Sequence, residues 1–141
     1  QAQVVTTADQ IPTILATCCA DPERQVVYQR AGCQVLCLNE ENGHVDLRQL
    51  MERLGQEQID SILLEGGGTL NWAALECGIV QQVQAYIAPK LFGGRDAKTP
   101  VEGVGVPAPD NAFRLKNSRL ERLGEDLLIE SEVEYPCSQE S

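Results

Sequence analysis

Residues 60–78 constrain the fold of this chain more than any other stretch, because they predict a strand, a glycine turn and a helix in direct succession. The apolar run 62–64 has the length and composition of a parallel strand that is covered on both faces. Glycines 66–68 end that strand, Thr69 can cap the helix that follows, and Gly78 can close it in the left-handed conformation. In an open α/β sheet such a turn lies where ligands bind, and a helix start offers free N–H groups to an anion. The stretch therefore predicts a site for a phosphate or pyrophosphate.

Glu65 occupies the end of the predicted strand, so its carboxylate is expected to face the same crevice and to contact the ligand. In the alternative interpretation, the three glycines only make a tight strand-to-helix turn and Glu65 caps a neighbouring backbone group. The spacing matches neither the G-x-G-x-x-G nor the Walker A pattern, so this motif alone leaves both interpretations open.

Composition narrows the classes of partner. The chain has 141 residues, 43% of them hydrophobic, which predicts one domain with a core of its own. Its formal net charge is −10 and its basic residues form no stripe, which argues against nucleic acid and anionic membranes as partners.

Without an apolar run of about 20 residues or a leader pattern, the protein is predicted to be cytoplasmic. Because the chain begins with Gln1, we expect that it was processed or cut from something longer.

The six cysteines do not predict a metal site, because none forms a C-x-x-C pair and the chain has a single histidine, His44. They are interpreted as small core residues of a reduced, intracellular protein.

The first half of the chain alternates predicted strands and helices. The strands are residues 3–6 and 33–38. The helices are a short one that starts at Asp9, one that starts at Asp21-Pro22 and ends at Gly32, and an amphipathic one from Asp46 to Gly55. Residues 39–44 are predicted to be a solvated loop that leaves His44 on the surface. Together with the strand at 62–64, this alternation predicts a parallel sheet with right-handed crossovers.

The second half of the chain is predicted to contain strands and a long loop in place of alternating strands and helices. Residues 83–88 form a further strand, 90–112 a long aperiodic loop with a function or an oligomer contact, and 113–123 with 126–135 an antiparallel hairpin around Gly124-Glu125. The sheet is therefore predicted to be mixed. Leu50 and Leu64 are predicted core residues, and replacing either by alanine is expected to cost about 2–5 kcal/mol.

Several segments together resemble one family. They are residues 65–70 (EGGGTL), 77–80 (CGIV), 86–94 (YIAPKLFGG) and 123–127 (LGEDL). In this order they are similar to the C-terminal half of the riboflavin-biosynthesis pyrimidine reductase domain, which is usually the second part of a bifunctional deaminase/reductase of the RibD family. The resemblance covers nearly the whole chain. It implies a dihydrofolate-reductase-like fold that is incomplete N-terminally, with residues 1–135 as the C-terminal portion of a reductase domain and 136–141 as a polar tail.

The resemblance also implies an activity and a set of binding residues. The reaction would be the NADPH-dependent reduction of 5-amino-6-(5-phosphoribosylamino)uracil to its ribitylamino counterpart. The family position that matches Glu65 contacts the substrate. The positions that contact NADP match a continuous run, which is Gly67, Gly68, Thr69, Leu70, Asn71, Trp72 and Ala73. No nucleophile is expected, because the protein has only to place the nicotinamide and to exclude water.

Two departures from the family are visible. Gln81-Gln82 stands where the family commonly has Asp-Glu, and the family's Ser-Leu-Asp-Gly-like first strand and upstream zinc-binding deaminase have no counterpart here. We therefore expect a fragment that is inactive alone or active only when it is paired with the missing N-terminal part of the same polypeptide. A homodimer is also expected. Two alternatives stay open: a related reductase of another pteridine or pyrimidine, and a non-catalytic association module in which the strand 83–88 and the hairpin pair across a dimer interface.

Overall fold

The computed structural model describes residues 2–136, so the predicted polar tail lies outside the described residues except for its first residue, Pro136. The chain forms two compact units, and the division falls between Ile62 and Leu63. None of the helices in the described part of the chain is long and apolar enough to cross a membrane.

The first unit contains one parallel strand pair and three helices. Its elements are α1 (Gln3–Thr6), β1 (Ile14–Thr17), α2 (Pro22–Arg30), β2 (Gln34–Cys37), β3 (Glu40–Glu41), β4 (His44–Val45) and α3 (Leu47–Gln56). β1 and β2 pair in parallel with Ile14 opposite Gln34, and α2 is the crossover between them. β3 and β4 form a short antiparallel hairpin.

The second unit is one helix with an antiparallel sheet. Its elements are α4 (Gly68–Glu76), β5 (Gln82–Ile87), a 3₁₀ turn (Pro109–Asn111), β6 (Arg114–Leu123) and β7 (Asp126–Glu134). The strand order is β5-β7-β6, and a bulge interrupts β6 between Lys116 and Arg119. A parallel pair with a crossover helix and a C-terminal antiparallel hairpin are thus both present, and the predicted α/β class is confirmed. The parallel and antiparallel strands belong to separate sheets, however, so none of the sheets in residues 2–136 is itself mixed, whereas the sequence had predicted a mixed sheet.

The predicted helix starts at Asp21 and Asp46 and the predicted end at Gly78 are confirmed, whereas α3 continues through its predicted end, Gly55, to Gln56. The Asp21 carboxylate accepts from the Glu23 N–H (2.9 Å), and the Asp46 carboxylate accepts from the Gln49 N–H (3.0 Å). Gly78 follows α4 with φ +74°, while the N–H of Ile79 reaches back to a carbonyl in the last turn. That arrangement satisfies carbonyls at the helix end and favours glycine at the left-handed position.

The predictions for the first twenty residues were wrong. Residues 3–6 form a short helix, not a strand, and Val4 is 59% exposed. The segment that was predicted to be a helix from Asp9 contains β1 instead. Pairing with β2 decides the conformation here, because ladder hydrogen bonds outweigh a weak local capping signal. The predicted loop 39–44 is the β3–β4 hairpin, whose Asn42-Gly43 turn has positive φ at both residues, and His44 is exposed as predicted.

The predicted central strand is absent. Residues 61–67 have no regular secondary structure, and Ile62, Leu63 and Leu64 are 49%, 73% and 41% exposed. A strand is held by hydrogen bonds to neighbours, and no strand within residues 2–136 pairs with this run. Leu64 is therefore not a core residue, and the effect expected of Leu64→Ala falls to about 1 kcal/mol or less. Leu50 is half-buried on α3.

Tyr135 fixes the chain segment that enters β5. Its hydroxyl accepts from the N–H of Val80 (3.0 Å) and donates to the carbonyl of the same residue (2.8 Å). Burial raises the pKa of Tyr135 above its ordinary value of 10.0, although the hydrogen bond from the Val80 backbone acts in the opposite direction. The neutral hydroxyl is the form that can make both bonds.

Replacing Tyr135 by phenylalanine is expected to lower the free energy of unfolding by about 1–2 kcal/mol, because both Val80 groups lose their partner. Since the folded protein holds the phenolic proton more tightly, the stabilisation is complete below pH 10.0 and is lost as the pH rises through the raised pKa. Urea unfolding at pH 7 and pH 11 measures both effects. Tyr86→Phe is the matched control, because Tyr86 is 64% exposed; an equal loss in both variants would contradict the assignment.

Candidate functional site

Helix α4 starts with glycine in place of a side-chain cap. Gly67 is the N-cap residue, with φ −76° and ψ 167°, and no side chain caps the helix. The predicted cap, Thr69, lies inside the first turn and is exposed. The helix begins earlier than predicted because glycine is itself accepted at an N-cap, and its carbonyl accepts the first helical bond from the Asn71 N–H.

The first turn of α4 keeps free backbone donors. Within residues 2–136, the N–H groups of Gly68, Thr69 and Leu70 have no hydrogen-bond acceptor. Such groups carry the positive end of the helix dipole and are suited to binding an anion. A Cβ built on Gly67 would meet no atom within 4 Å, so the space beside this end is open.

Residues 99–103, which we call the strap, pack against the same turn at Gly68 and Asn71. The N–H of Glu102 donates to the carbonyl of Gly68 (3.0 Å), and the Asn71 side-chain amide donates to the carbonyl of Pro100 (2.8 Å). Gly68 is buried, and a Cβ added to it would lie 2.8 Å from the carbonyl oxygen of Thr99. Gly67 therefore borders open space. Glycine is required at position 68, because a side chain there would collide with the strap.

Trp72 points toward the strap and an aromatic cluster. Gly103, at φ +133°, lies so close to the indole that a Cβ there would overlap it. The indole centre is 6.0 Å from the ring of Phe113, which is 5.5 Å from the ring of Tyr135 in an edge-on arrangement. A cavity of about 690 Å³ with a mostly apolar wall opens beside this cluster, lined by Trp72, Leu75 and residues of the strap.

The predicted site residues thus divide into two groups. Gly67, Thr69 and Leu70 lie at the open end of α4, and the exposed Glu65 precedes them in the irregular segment. Gly68, Asn71 and Trp72 face the strap, and Ala73 is half-buried in the second turn. No local sequence pattern predicts the strap contacts; the only signal is the length and glycine content of the loop that contains it.

Cys18, which follows β1, is not an activated thiol. Its Sγ donates to the carbonyl of Asn39 (3.7 Å), and its pKa is raised, mainly because surrounding protein removes water from it and also because Glu40 and Cys37 lie near. A raised pKa keeps the thiol protonated and poorly nucleophilic. Within residues 2–136, no group of three or more His, Cys, Asp or Glu side chains is placed to hold a metal ion.

Comparison with known proteins decides the family. Residues 1–129 match the RibD C-terminal domain. The chain belongs to this family. It is 46% identical over 134 residues to riboflavin biosynthesis protein RibD of Actinobacillus pleuropneumoniae, covering 95% of this chain and 36% of that protein. It is 39% identical over 125 residues to the 2,5-diamino-6-ribosylamino-4(3H)-pyrimidinone 5′-phosphate reductase of Methanothermobacter thermautotrophicus, covering 89% of this chain and 57% of that protein.

Solved structures show that the RibD C-terminal fold is shared. Acinetobacter baumannii RibD superposes with a TM-score of 0.66 at 24% identity, over 86% of this chain and 31% of that one. A pyrimidine reductase-like protein from Corynebacterium diphtheriae superposes with a TM-score of 0.68 at 17% identity, over 94% and 55%. The fold is therefore dihydrofolate-reductase-like, as the sequence resemblance implied. The chain spans about a third to a little over half of the length of the curated relatives it matches.

Proposed function

We propose that this chain carries the cofactor-binding part of an NADPH-dependent reductase of riboflavin biosynthesis. The reaction is the reduction of 5-amino-6-(5-phosphoribosylamino)uracil to its ribitylamino counterpart. The observation that carries the proposal is the open first turn of α4, where the N–H groups of Gly68, Thr69 and Leu70 have no acceptor within residues 2–136.

The charge of the chain makes this turn the natural phosphate site. With a formal net charge of −10, the protein as a whole repels a phosphorylated cofactor. Backbone donors at a helix start bind an anion without needing a basic side chain, and charge-assisted bonds of this kind are among the stronger ones. Gly67 adds the open space through which a phosphate can approach.

NADPH fits these residues and would supply the hydride. In the proposal the amides of α4 bind a phosphate of the cofactor, while the exposed methyl and aliphatic groups of Thr69 and Leu70 flank it. In the proposal, Glu65, which lies two residues before the N-cap, contacts the pyrimidine substrate. These residues bind and orient the reactants and exclude water, which is the contribution expected of a protein in cofactor chemistry. Residues outside this sequence complete the substrate site.

An association role is the second candidate. All ten residues of β6 are exposed, and this strand is an edge of its sheet. A long exposed edge favours pairing with another strand. A homodimer built through β6 is compatible with the reductase, but it becomes the better explanation if the chain dimerises and does not bind a cofactor.

Titration of the chain with NADPH, followed by nicotinamide fluorescence, tests the proposed function. We expect saturable binding with one cofactor per chain, weakened by added inorganic pyrophosphate, which competes for the same amides. Sedimentation of the same sample gives its oligomeric state. A stable dimer that shows no saturable NADPH binding would replace the reductase proposal by the association role.

A further inference from the structure

We propose that Asn71 and Trp72 are positioning residues, which act on the cofactor through the strap and not by contact with it. The inference rests on the proposed function, since it concerns the same helix start. It assigns a specific function to residues 99–103, which lie in the long loop whose contacts no local sequence pattern predicts.

The side chains of Asn71 and Trp72 both contact the strap. The side-chain amide of Asn71 donates one of its two N–H groups to the carbonyl of Pro100 (2.8 Å), and this bond holds the side chain against the strap. The indole of Trp72 is covered by Gly103 on one side and faces Phe113. Both side chains therefore contact the strap, whereas Gly67 borders open space.

The strap is also bonded to the backbone of the first turn of α4. The bond from the Glu102 N–H to the Gly68 carbonyl ties the strap to the residue whose own N–H is one of the free donors. The Thr99 carbonyl and the Glu102 side chain lie where a Cβ of residue 68 would be, so the strap packs closely on Gly68. Three contacts along one turn thus fix the direction of its amides. Donors that are held in place bind an anion more tightly than donors that must be ordered on binding.

Two glycines of the same loop provide a matched pair of variants. A methyl group on Gly103 would overlap the Trp72 indole, whereas a methyl group on Gly105 would meet no atom within 4 Å. Both glycines have positive φ, +133° and +73°, so both substitutions strain the backbone. Only Gly103→Ala, however, pushes the strap off the indole. Neither glycine belongs to the proposed cofactor contacts.

Trp72 is the only tryptophan of the chain, so its fluorescence reports the position of the strap without any ligand. We expect Gly103→Ala and Asn71→Leu to shift its emission to the red, to increase its quenching by acrylamide and to weaken NADPH binding by about tenfold, the effect of one lost charge-assisted hydrogen bond. Gly105→Ala is expected to leave the emission unchanged and to change NADPH affinity by less than about twofold.

Two results would overturn the proposal. In the first, Asn71→Leu weakens NADPH binding while the emission of Trp72 stays as in the unmodified chain, which would make Asn71 a direct contact. In the second, Gly103→Ala shifts the emission but leaves NADPH affinity unchanged, which would make the strap irrelevant to the site. If the proposed function is wrong, the unmodified chain does not bind NADPH. That failure is distinguishable, because unchanged emission in both Gly103→Ala and Asn71→Leu would contradict the contacts between α4 and the strap without any ligand.

Discussion

Replacing Gly67 by aspartate is expected to stabilise the protein and at the same time to abolish tight NADPH binding. The dihedral angles of Gly67, φ −76° and ψ 167°, are those of an N-cap residue, and aspartate is among the best caps. Its carboxylate would accept from the free N–H groups of the first turn and would be attracted to the positive end of the helix dipole. The expected gain in the free energy of unfolding is about 0.5–1 kcal/mol.

The same carboxylate would occupy the amides that are proposed to bind phosphate. Loss of two charge-assisted hydrogen bonds, together with repulsion of the phosphate, is expected to weaken NADPH binding by at least about a hundredfold. Urea unfolding and NADPH titration measure the two effects on one sample. Gly55→Asp is the control, because Gly55 lies on α3 with no atom near its Cβ position, so it adds the same charge elsewhere. Equal affinity in both variants would contradict the proposed site.

Replacing Phe113 by alanine is expected to cost about 2–4 kcal/mol of unfolding free energy. Phe113 stands between Trp72 and Tyr135 and contacts both rings. Its loss would enlarge the apolar cavity beside α4, which Phe113 already lines, and would remove the aromatic contacts on two sides. Chemical denaturation followed by circular dichroism measures the change.

The other phenylalanine of the chain is the matched control. Phe92 is 92% exposed in the long loop, so Phe92→Ala is expected to change the free energy of unfolding by less than about 0.5 kcal/mol. If the two alanine variants were equally stable, the aromatic cluster would not hold the second unit together.

Local signals allowed much of the fold to be predicted. The caps Asp21 and Asp46, the left-handed Gly78 and the turn at Gly124 each depend on the chemistry of one or two residues, and all were found as expected. The strand that was predicted at residues 62–64 is absent, because a local pattern does not show whether a strand has neighbours. A strand exists only with hydrogen-bonded neighbours, and none of the strands in residues 2–136 is its partner.

The candidate site also combines features that local residues determine with features that distant residues determine. The helix after glycines 66–68 was predicted from the sequence, although its start was expected at Thr69. The structure adds that its first turn keeps free amides. That Gly67 is open while Gly68 is packed was beyond sequence reasoning, because the difference comes from residues 99–103, about thirty positions away. The same distant contact sets the orientation of Asn71 and Trp72, which a continuous run of sequence cannot reveal.

The most direct test is nuclear magnetic resonance of the ¹⁵N-labelled chain during titration with NADPH, because it observes each backbone amide separately. The proposal predicts that the largest shift changes occur at the N–H groups of Gly68, Thr69 and Leu70, and that they saturate together. Saturable NADPH binding that leaves these three amides unchanged and shifts others would contradict the assignment of the first turn of α4 as the phosphate site.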